Sequence, residues 1–178
     1  MATANPARPP TDEYLPYYGR YIALVPDGDL AAMLARQGEE TAALLASFSP
    51  AQAQRRPAPG EWNVIEIVGH LADTERVLAY RALRIARADP QPMEGVDDFA
   101  PYVPAADFAR RPLGEVASEF TAVRQATLTL FRSLSPVAWE RVGTADGHPI
   151  SVRALGYLVA GHELHHLTDI RRSHDVVA

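Results

Sequence analysis

The chain has 178 residues, of which 47% are hydrophobic and 22% charged, a balance that fits one globular domain and excludes a disordered chain. The formal net charge of −5, without a basic cluster, argues against nucleic acid as a partner. No cysteine is present, so disulfides and thiolate ligands are excluded, and any metal must be bound through nitrogen and oxygen.

The N-terminal part of the sequence shows no signal of export or of membrane insertion. No charged segment followed by an apolar run opens the chain, and no apolar stretch reaches the roughly 18 residues that a membrane span needs. We therefore expect a cytoplasmic protein without a membrane partner. Residues 1–16, rich in proline and alanine, are expected to form a flexible arm, and residues 17–178 a single domain. The tyrosines at 14, 17, 18 and 21 predict a segment packed across that domain.

Two long helices are predicted in the first half of the domain. Apolar residues spaced three and four apart predict the first, starting near Asp27 or Asp29 and ending before Pro50. The second is predicted to begin at Asn63, since Glu66 three residues later completes a capping box. It should continue to about Arg87.

In the second half of the domain, the sequence predicts two more helices and a short hairpin. The third helix is expected from Leu113 until just before Pro136, and the fourth from a cap at Ser151 to about Ser173. Asp146-Gly147 marks a turn in a hairpin between residues 142 and 152. Four amphipathic helices predict an all-α fold, a four-helix bundle.

The connection between the second and third helices indicates the topology of the bundle. Residues 88–112 hold five prolines and the acidic pair Asp97-Asp98, and are interpreted as a connection without an element of its own. Antiparallel neighbours usually need about 2–8 connecting residues, so this segment is long enough to cross the bundle. The second and fourth helices should then run antiparallel.

Histidines dominate the candidate site. His162 and His166 are four residues apart and therefore lie on one face of the last helix, where both can bind the same ion. A third ligand must come from a neighbouring helix, and His70 is the best-placed candidate. Antiparallel packing of the second and fourth helices brings all three to nearly the same level.

Four segments of the chain carry a resemblance to a known family: residues 57–64, Gly69–Arg76, Tyr80–Arg87 and Gly161–Leu167. From about Tyr17 onwards the chain resembles the DinB-like (DinB/YfiT-like metalloenzyme) superfamily. This resemblance implies a four-helix bundle with an up-down-down-up course. It also implies a metal site formed by one histidine of the second helix and two of the fourth, which are His70, His162 and His166 in this sequence. Thr168 and Asp169 stand where many relatives have a small residue and glutamine.

Other polar residues lie near the predicted site in sequence. Asp73 and Asp169 each follow a candidate ligand by three residues, so each could orient an imidazole or transfer protons, although a solvated carboxylate is an alternative for Asp73. Arg81 lies on the inward face of its helix, and either pairs with an acid such as Glu119 or contacts an anionic substrate. His165 is expected at the edge of the site, and His148 and His174 in solvent.

Two classes of function remain open. The resemblance implies a metal-dependent hydrolase, or an S-transferase that uses a low-molecular-weight thiol, acting on a small molecule at a divalent cation. Zinc or nickel suits the site best, with iron or manganese as alternatives. The second class is a non-catalytic, metal-stabilised bundle that acts as a binding module. The sequence leaves the oligomeric state open, a homodimer being one alternative.

Overall fold

A computed structural model describes residues 5–95 and 101–175 of the chain. Its elements are given in chain order: α1 (Gly19–Ile22), α2 (Leu30–Ala46), α3 (Pro50–Gln54), α4 (Val64–Ala86), α5 (Tyr102–Ala106), α6 (Leu113–Arg132), α7 (Pro136–Glu140), β1 (Val142–Ala145), β2 (His148–Ser151) and α8 (Val152–Asp175). The four long helices α2, α4, α6 and α8 are those that the sequence predicts. Within the described residues, no helix is both long enough and apolar enough to cross a membrane.

Side chains at the predicted positions cap the helices. The Asp29 carboxylate accepts from the Ala32 amide at the start of α2, and the Ser151 hydroxyl accepts from the Ala154 amide at the start of α8. At α4, Asn63 and Glu66 exchange both hydrogen bonds of the predicted capping box. The predicted hairpin is also present, with β1 and β2 antiparallel and Ala145 opposite His148. These predictions are confirmed.

Two clusters of buried hydrophobic residues fix the directions of the four helices. The first cluster includes Leu30, Leu34, Leu78, Ala82, Leu128, Phe131, Leu155 and Leu158. The second includes Leu45, Ile65, Val68, Val116, Phe120, Leu167 and Ile170. Therefore α2 and α8 run from the first cluster to the second, and α4 and α6 run the opposite way. The chain forms a four-helix bundle with an up-down-down-up course, as the sequence predicts.

The connection from α4 to α6 contains more structure than the sequence predicts. The prediction that residues 88–112 contain no secondary structure was wrong, because this segment includes α5 and a 3₁₀ turn over Phe108–Arg110. Proline is tolerated here because Pro104 lies in the first turn of α5, where amide groups have no helical partner. The buried side chains Val103 and Phe108 anchor the segment. The pair Asp97-Asp98 lies outside the described residues.

The segment before α1 contacts the bundle at several points. Arg8 donates to the carbonyl oxygens of Ile22 and Val25 at 2.9 and 2.6 Å, and the Arg153 Nε atom donates to Glu13 at 2.7 Å. In the predicted tyrosine segment, Tyr21 is buried. The flexibility expected of residues 1–16 stays a prediction about the chain in solution.

A layer of buried polar residues separates the two apolar clusters. Arg124 on α6 donates through Nη2 to Glu75 on α4 and through Nη1 to Glu163 on α8, both at 2.7 Å. Thr41 on α2 donates to the other oxygen of Glu163 at 2.6 Å. We call these four residues the central ion layer. Because it joins all four helices, it fixes their relative heights and therefore the level of His70 against α8.

Charge in the central ion layer is only partly balanced, with two carboxylates facing one guanidinium. Burial alone lowers the pKa of Arg124, but Glu75 and Glu163 outweigh it, so the pKa is raised and the guanidinium stays charged. Burial raises the pKa of Glu163 despite the opposing effects of Arg124 and Thr41. Glu163 therefore stabilises the interior of the bundle through Arg124 and Thr41, although it directly follows the candidate metal ligand His162 in sequence.

Candidate metal centre

The two helices that carry the predicted ligands approach each other as the topology requires. His70 on α4 and His162 on α8 are buried, and their Nε2 atoms lie 3.2 Å apart. His166 completes the group, in which one ring nitrogen of each histidine lies within 4.8 Å of the other two. The structure thus brings together all three histidines that the sequence selects. We call them the histidine triad.

Glycines precede two of the three histidines, and each allows a close contact that buries the site. A Cβ atom on Gly69 would lie 2.4 Å from the Phe108 ring, which packs against α4 there. A Cβ atom on Gly161 would lie 2.1 Å from the backbone carbonyl oxygen of Tyr21. Without side chains at these positions, the α5 to α6 connection and α1 can both pack closely beside the triad.

Two aromatic side chains pack against histidines of the triad. Trp62 packs against His70 and His166, with ring centroids 4.9 and 6.4 Å apart. Tyr21 packs edge-on against His162 and His165, at 5.4 and 5.3 Å. The rings limit the movement of the imidazoles and keep much of the bulk solvent away from them.

A cleft of about 270 Å³ reaches the triad beside Trp62. Its lining includes His166, Asp169 and Arg172, and it is small enough to select a compact ligand. A larger groove of about 370 Å³ lies between α2, α3 and α6, but no histidine lines it and Arg111 is its one charged lining residue. The nature of the side chains, more than the volume, identifies the smaller cleft as the candidate site.

The two carboxylates that the sequence selects have different environments. Asp169 Oδ2 lies 3.3 Å from His166 Nδ1, close enough to interact, although this buried nitrogen lacks an aligned hydrogen bond among the described residues. Asp73 pairs instead with Arg76, at 2.9 Å, and does not belong to the histidine group. Only Asp169 is therefore placed to orient a ligand, and a catalytic role for either carboxylate stays a prediction.

Arg81 lies three turns of α4 beyond His70. It is buried on α4 and donates to the carbonyl oxygen of Glu94 at 3.2 Å. The suggested pairing with Glu119 was wrong, because Glu119 pairs with Arg76 and Arg111. Eleven residues separate Arg81 from His70, about 16 Å along the helix, so an anion at Arg81 would not touch an ion held by the triad. Its contact with a substrate stays a prediction.

The remaining histidines lie where solvent reaches them or outside the described side chains. His148 is exposed, as the sequence predicts, and His165, expected at the edge of the site, is exposed as well. His165 also forms a second group with His166 and Asp169 whose potential ligand atoms lie within 4.8 Å of one another. The side chain of His174, in the last turn of α8, lies outside the described residues.

Sequence reasoning missed Arg20 as a neighbour of the site. Its guanidinium donates to the hydroxyl groups of Tyr17 and Tyr21, and Tyr21 contacts His162 directly. The concentration of tyrosines signals a packed segment but says nothing of what it packs against. Four residues of helix are also too few to show a periodicity.

Burial keeps His162 and His166 neutral. Burial lowers the pKa of His162 well below its ordinary value of 6.5, and the neighbouring histidines add to the effect. For His166, burial together with His165 outweighs the opposing effect of Asp169 and lowers the pKa to about 4. Neutral imidazoles are the form that binds metal ions.

These pKa values predict how the stability of the metal-free protein depends on pH. Between about pH 6.5 and the lowered pKa values, the unfolded chain binds more protons than the native one, so the free energy of unfolding must fall as the pH falls. For His166 alone, with its pKa lowered to about 4, the loss between pH 7 and pH 4.5 should be about 2–3 kcal/mol. Urea unfolding from pH 7 to pH 4.5 in the presence of a chelator measures this.

A matched pair of variants assigns that pH dependence to the triad. His166→Gln should flatten the loss of stability below pH 6.5, whereas His148→Gln, at an exposed position, should leave it unchanged. Equal slopes in the two variants would show that the acid-sensitive groups lie elsewhere.

Asp169→Asn is expected to weaken divalent metal binding by about tenfold to a hundredfold without abolishing it, because the histidine beside Asp169 loses its charged neighbour. Asp73→Asn is the matched control, since it removes the same charge three residues after the other helix's ligand. Competition against a chromogenic chelator gives both affinities. An unchanged affinity in Asp169→Asn, or an equal loss in both variants, would speak against an orienting role for Asp169.

Comparison with solved structures places the fold among known proteins. YfiT from Bacillus subtilis, described as a probable metal-dependent hydrolase with an unusual four-helix bundle topology, is similar with a TM-score of 0.68 and 15% identity, over 96% of this chain and 93% of YfiT. The mycothiol-dependent maleylpyruvate isomerase gives a TM-score of 0.67 at 14% identity, over 84% of this chain. This chain spans only 62% of the isomerase. At such identities the likeness shows a shared fold.

The family follows from the sequence itself. No curated protein matches the chain in sequence. Residues 33–170, which include α4 and α6 and most of α2 and α8, match the sequence pattern of the DinB superfamily. With this match over most of its length, the chain belongs to the DinB superfamily.

Proposed function

We propose that this chain is a metal-dependent enzyme acting on a small molecule, with His70, His162 and His166 as the protein ligands of one divalent cation. The histidine triad carries the proposal, since it gathers three ring nitrogens within 4.8 Å inside a bundle whose core is otherwise mostly apolar. Buried polar groups without such a purpose are costly and therefore uncommon.

The triad fits a metal ion in the spacing of its nitrogens, and His162 and His166 fit it also in their neutral form. Two nitrogens bound to one Zn²⁺ at about 2.0–2.1 Å and a tetrahedral angle lie about 3.3 Å apart. The Nε2 atoms of His70 and His162 lie 3.2 Å apart. A donor set of three imidazoles suits Zn²⁺ or Ni²⁺ better than Fe²⁺ or Mn²⁺. When bound, such a cation acts as a Lewis acid that lowers the pKa of a coordinated water or thiol.

The surrounding residues supply orientation and access. Asp169 lies beside Nδ1 of His166, which leaves Nε2 of that ring to face the other two histidines. Trp62 packs against His70 and Tyr21 packs against His162, and a cleft lined by Trp62 and His166 opens beside the triad. Three protein ligands leave coordination positions for substrate, as in catalytic sites, whereas structural zinc sites are closed by four.

Hydrolysis is the leading reaction class, because the likeness to YfiT, described as a probable metal-dependent hydrolase, extends over nearly the whole of both chains. In hydrolysis, a hydroxyl group from water joins the acyl carbon and the leaving group takes the proton. Transfer of a low-molecular-weight thiol is the second candidate, favoured by the likeness to a mycothiol-dependent isomerase. In that reaction the thiol sulfur joins the electrophilic carbon, and the thiol proton departs with the leaving group.

Cobalt substitution tests the proposal and separates it from the alternative of a binding module. Protein purified without a histidine tag is stripped of metal and loaded with one equivalent of Co²⁺, and its visible spectrum is recorded with acetate, azide and 2-mercaptoethanol. We expect small ligands to change the spectrum, because coordination positions remain open. A bound cobalt ion whose spectrum ignores every ligand would favour a non-catalytic bundle.

Turnover then distinguishes the two reaction classes. Release of 4-nitrophenol from a nitrophenyl ester without thiol would support the hydrolase. Consumption of free thiol in the presence of an aryl halide would support the transferase. His166→Ala should abolish either reaction and serves as the control.

A further inference from the structure

Arg20 occupies a well-defined place beside the histidine triad. Its Cζ atom lies 4.0 Å from the ring centroid of Tyr17 and 4.6 Å from that of Tyr21. Nη2 donates to the hydroxyl groups of both tyrosines, at 2.6 Å for Tyr21. Two aromatic rings and two hydrogen bonds thus hold an exposed side chain that would otherwise sample many rotamers.

The backbone beneath Arg20 is also held firmly. Tyr21 and Ile22 are buried, and the carbonyl oxygen of Tyr21 lies where a side chain on Gly161 would otherwise be. Gly161 directly precedes His162, so the position of Arg20 relative to the triad is set by a backbone contact. The Tyr21 ring, which packs against His162, also stacks on the guanidinium of Arg20.

Arg20 differs from the other arginines around the site in its pairing. Arg172 pairs with Glu61 and Asp169, and Arg76 pairs with Asp73 and Glu119. Among the described side chains, no carboxylate oxygen lies within 4.0 Å of Arg20.

We propose that Arg20 is the contact for an anionic group of the substrate, so that the substrate class is small molecules that bear a carboxylate or a similar anion several ångströms from the reacting atom. The inference rests on the proposed function, because it assumes that the reacting atom binds at the triad. The hydroxyl contacts occupy Nη2, and the exposed guanidinium keeps further N–H groups for a charge-assisted hydrogen bond to an anion. Tyr17 and Tyr21 act as positioning residues for Arg20.

Matched thiols test the inference by binding alone. The probes are 3-mercaptopropionate and 6-mercaptohexanoate, each compared with its neutral alcohol, 3-mercapto-1-propanol or 6-mercapto-1-hexanol. Their dissociation constants are measured from the spectrum of the cobalt-loaded protein. We expect at least one acid to bind more tightly than its alcohol, and Arg20→Gln to weaken the binding of that acid by about tenfold or more. The dissociation constant of the alcohol should change by less than about twofold.

Two further variants sharpen the result. Arg20→Lys should retain part of the preference for the acid, since it keeps the charge but loses the planar guanidinium. Arg132→Gln removes an equal charge at an exposed position at the C-terminal end of α6 and should change neither affinity. In the wild-type protein, the preference for the acid should also shrink as the salt concentration rises, which needs no variant.

The outcomes separate this inference from the proposed function. If the protein binds cobalt but the ratio of the dissociation constants of acid and alcohol is the same in Arg20→Gln and wild type, the role of Arg20 is overturned. The proposed metal site is then unaffected. A wild-type ratio that does not respond to salt would overturn it equally. Failure of the wild-type protein to bind cobalt would overturn both the proposed function and the inference that rests on it.

Discussion

Replacing Arg124 with methionine is expected to lower the free energy of unfolding by about 3–5 kcal/mol, one of the largest effects that a single substitution in this chain can have. Arg124 is only 2% exposed and compensates two buried carboxylates. Methionine fills a similar volume but leaves Glu75 and Glu163 buried without their cation. Equilibrium urea unfolding of the metal-free protein measures the loss.

Two controls show whether the loss comes from unpaired buried charge. Arg132→Met, at an exposed position of the same helix, should change the stability by less than about 0.5 kcal/mol. Combining Arg124→Met with Glu75→Leu and Glu163→Leu should recover much of the loss, because no uncompensated carboxylate then remains. A loss below about 1 kcal/mol in Arg124→Met would mean that the central ion layer does not hold the helices together.

Replacing His166 with alanine is expected to abolish stoichiometric binding of Zn²⁺ and Ni²⁺. Two imidazoles remain, and they cannot hold a divalent ion as three can. Wild-type protein should also be stabilised by metal, by about 4 kcal/mol when the free metal concentration is a thousand times the dissociation constant. Elemental analysis and thermal unfolding with and without metal give both quantities.

His148→Ala is the matched control, since it removes an exposed histidine from the hairpin. It should bind metal like the wild type and show the same stabilisation. Equal metal content in the two alanine variants would refute the assignment of His166 as a ligand.

Much of the fold could be predicted because its signals are local. Asn63 and Glu66 mark the start of α4 through their own backbone, and the i, i+4 spacing of His162 and His166 needs nothing beyond helical geometry. The third ligand could be predicted because the length of the α4 to α6 connection indicates that α4 and α8 are antiparallel. This antiparallel packing places His70 level with His162 and His166 on α8.

Features that depend on several helices at once could not be read from the sequence. The pairing of Arg124 with both Glu75 and Glu163 depends on the heights of α4, α6 and α8 together. Asp73 and Asp169 share the same spacing from a histidine, and only their neighbours separate them, since Arg76 engages Asp73. A cytoplasmic location and a homodimer stay predictions.

The most direct test of the metal centre is a crystal structure of the zinc-loaded protein with anomalous data at the zinc edge. Our account predicts one strong anomalous peak per chain, about 2.0–2.1 Å from a ring nitrogen of each of His70, His162 and His166. The second group of potential ligands, His165, His166 and Asp169, offers a specific alternative position. An anomalous peak there, or none at the histidine triad, would contradict the proposed site.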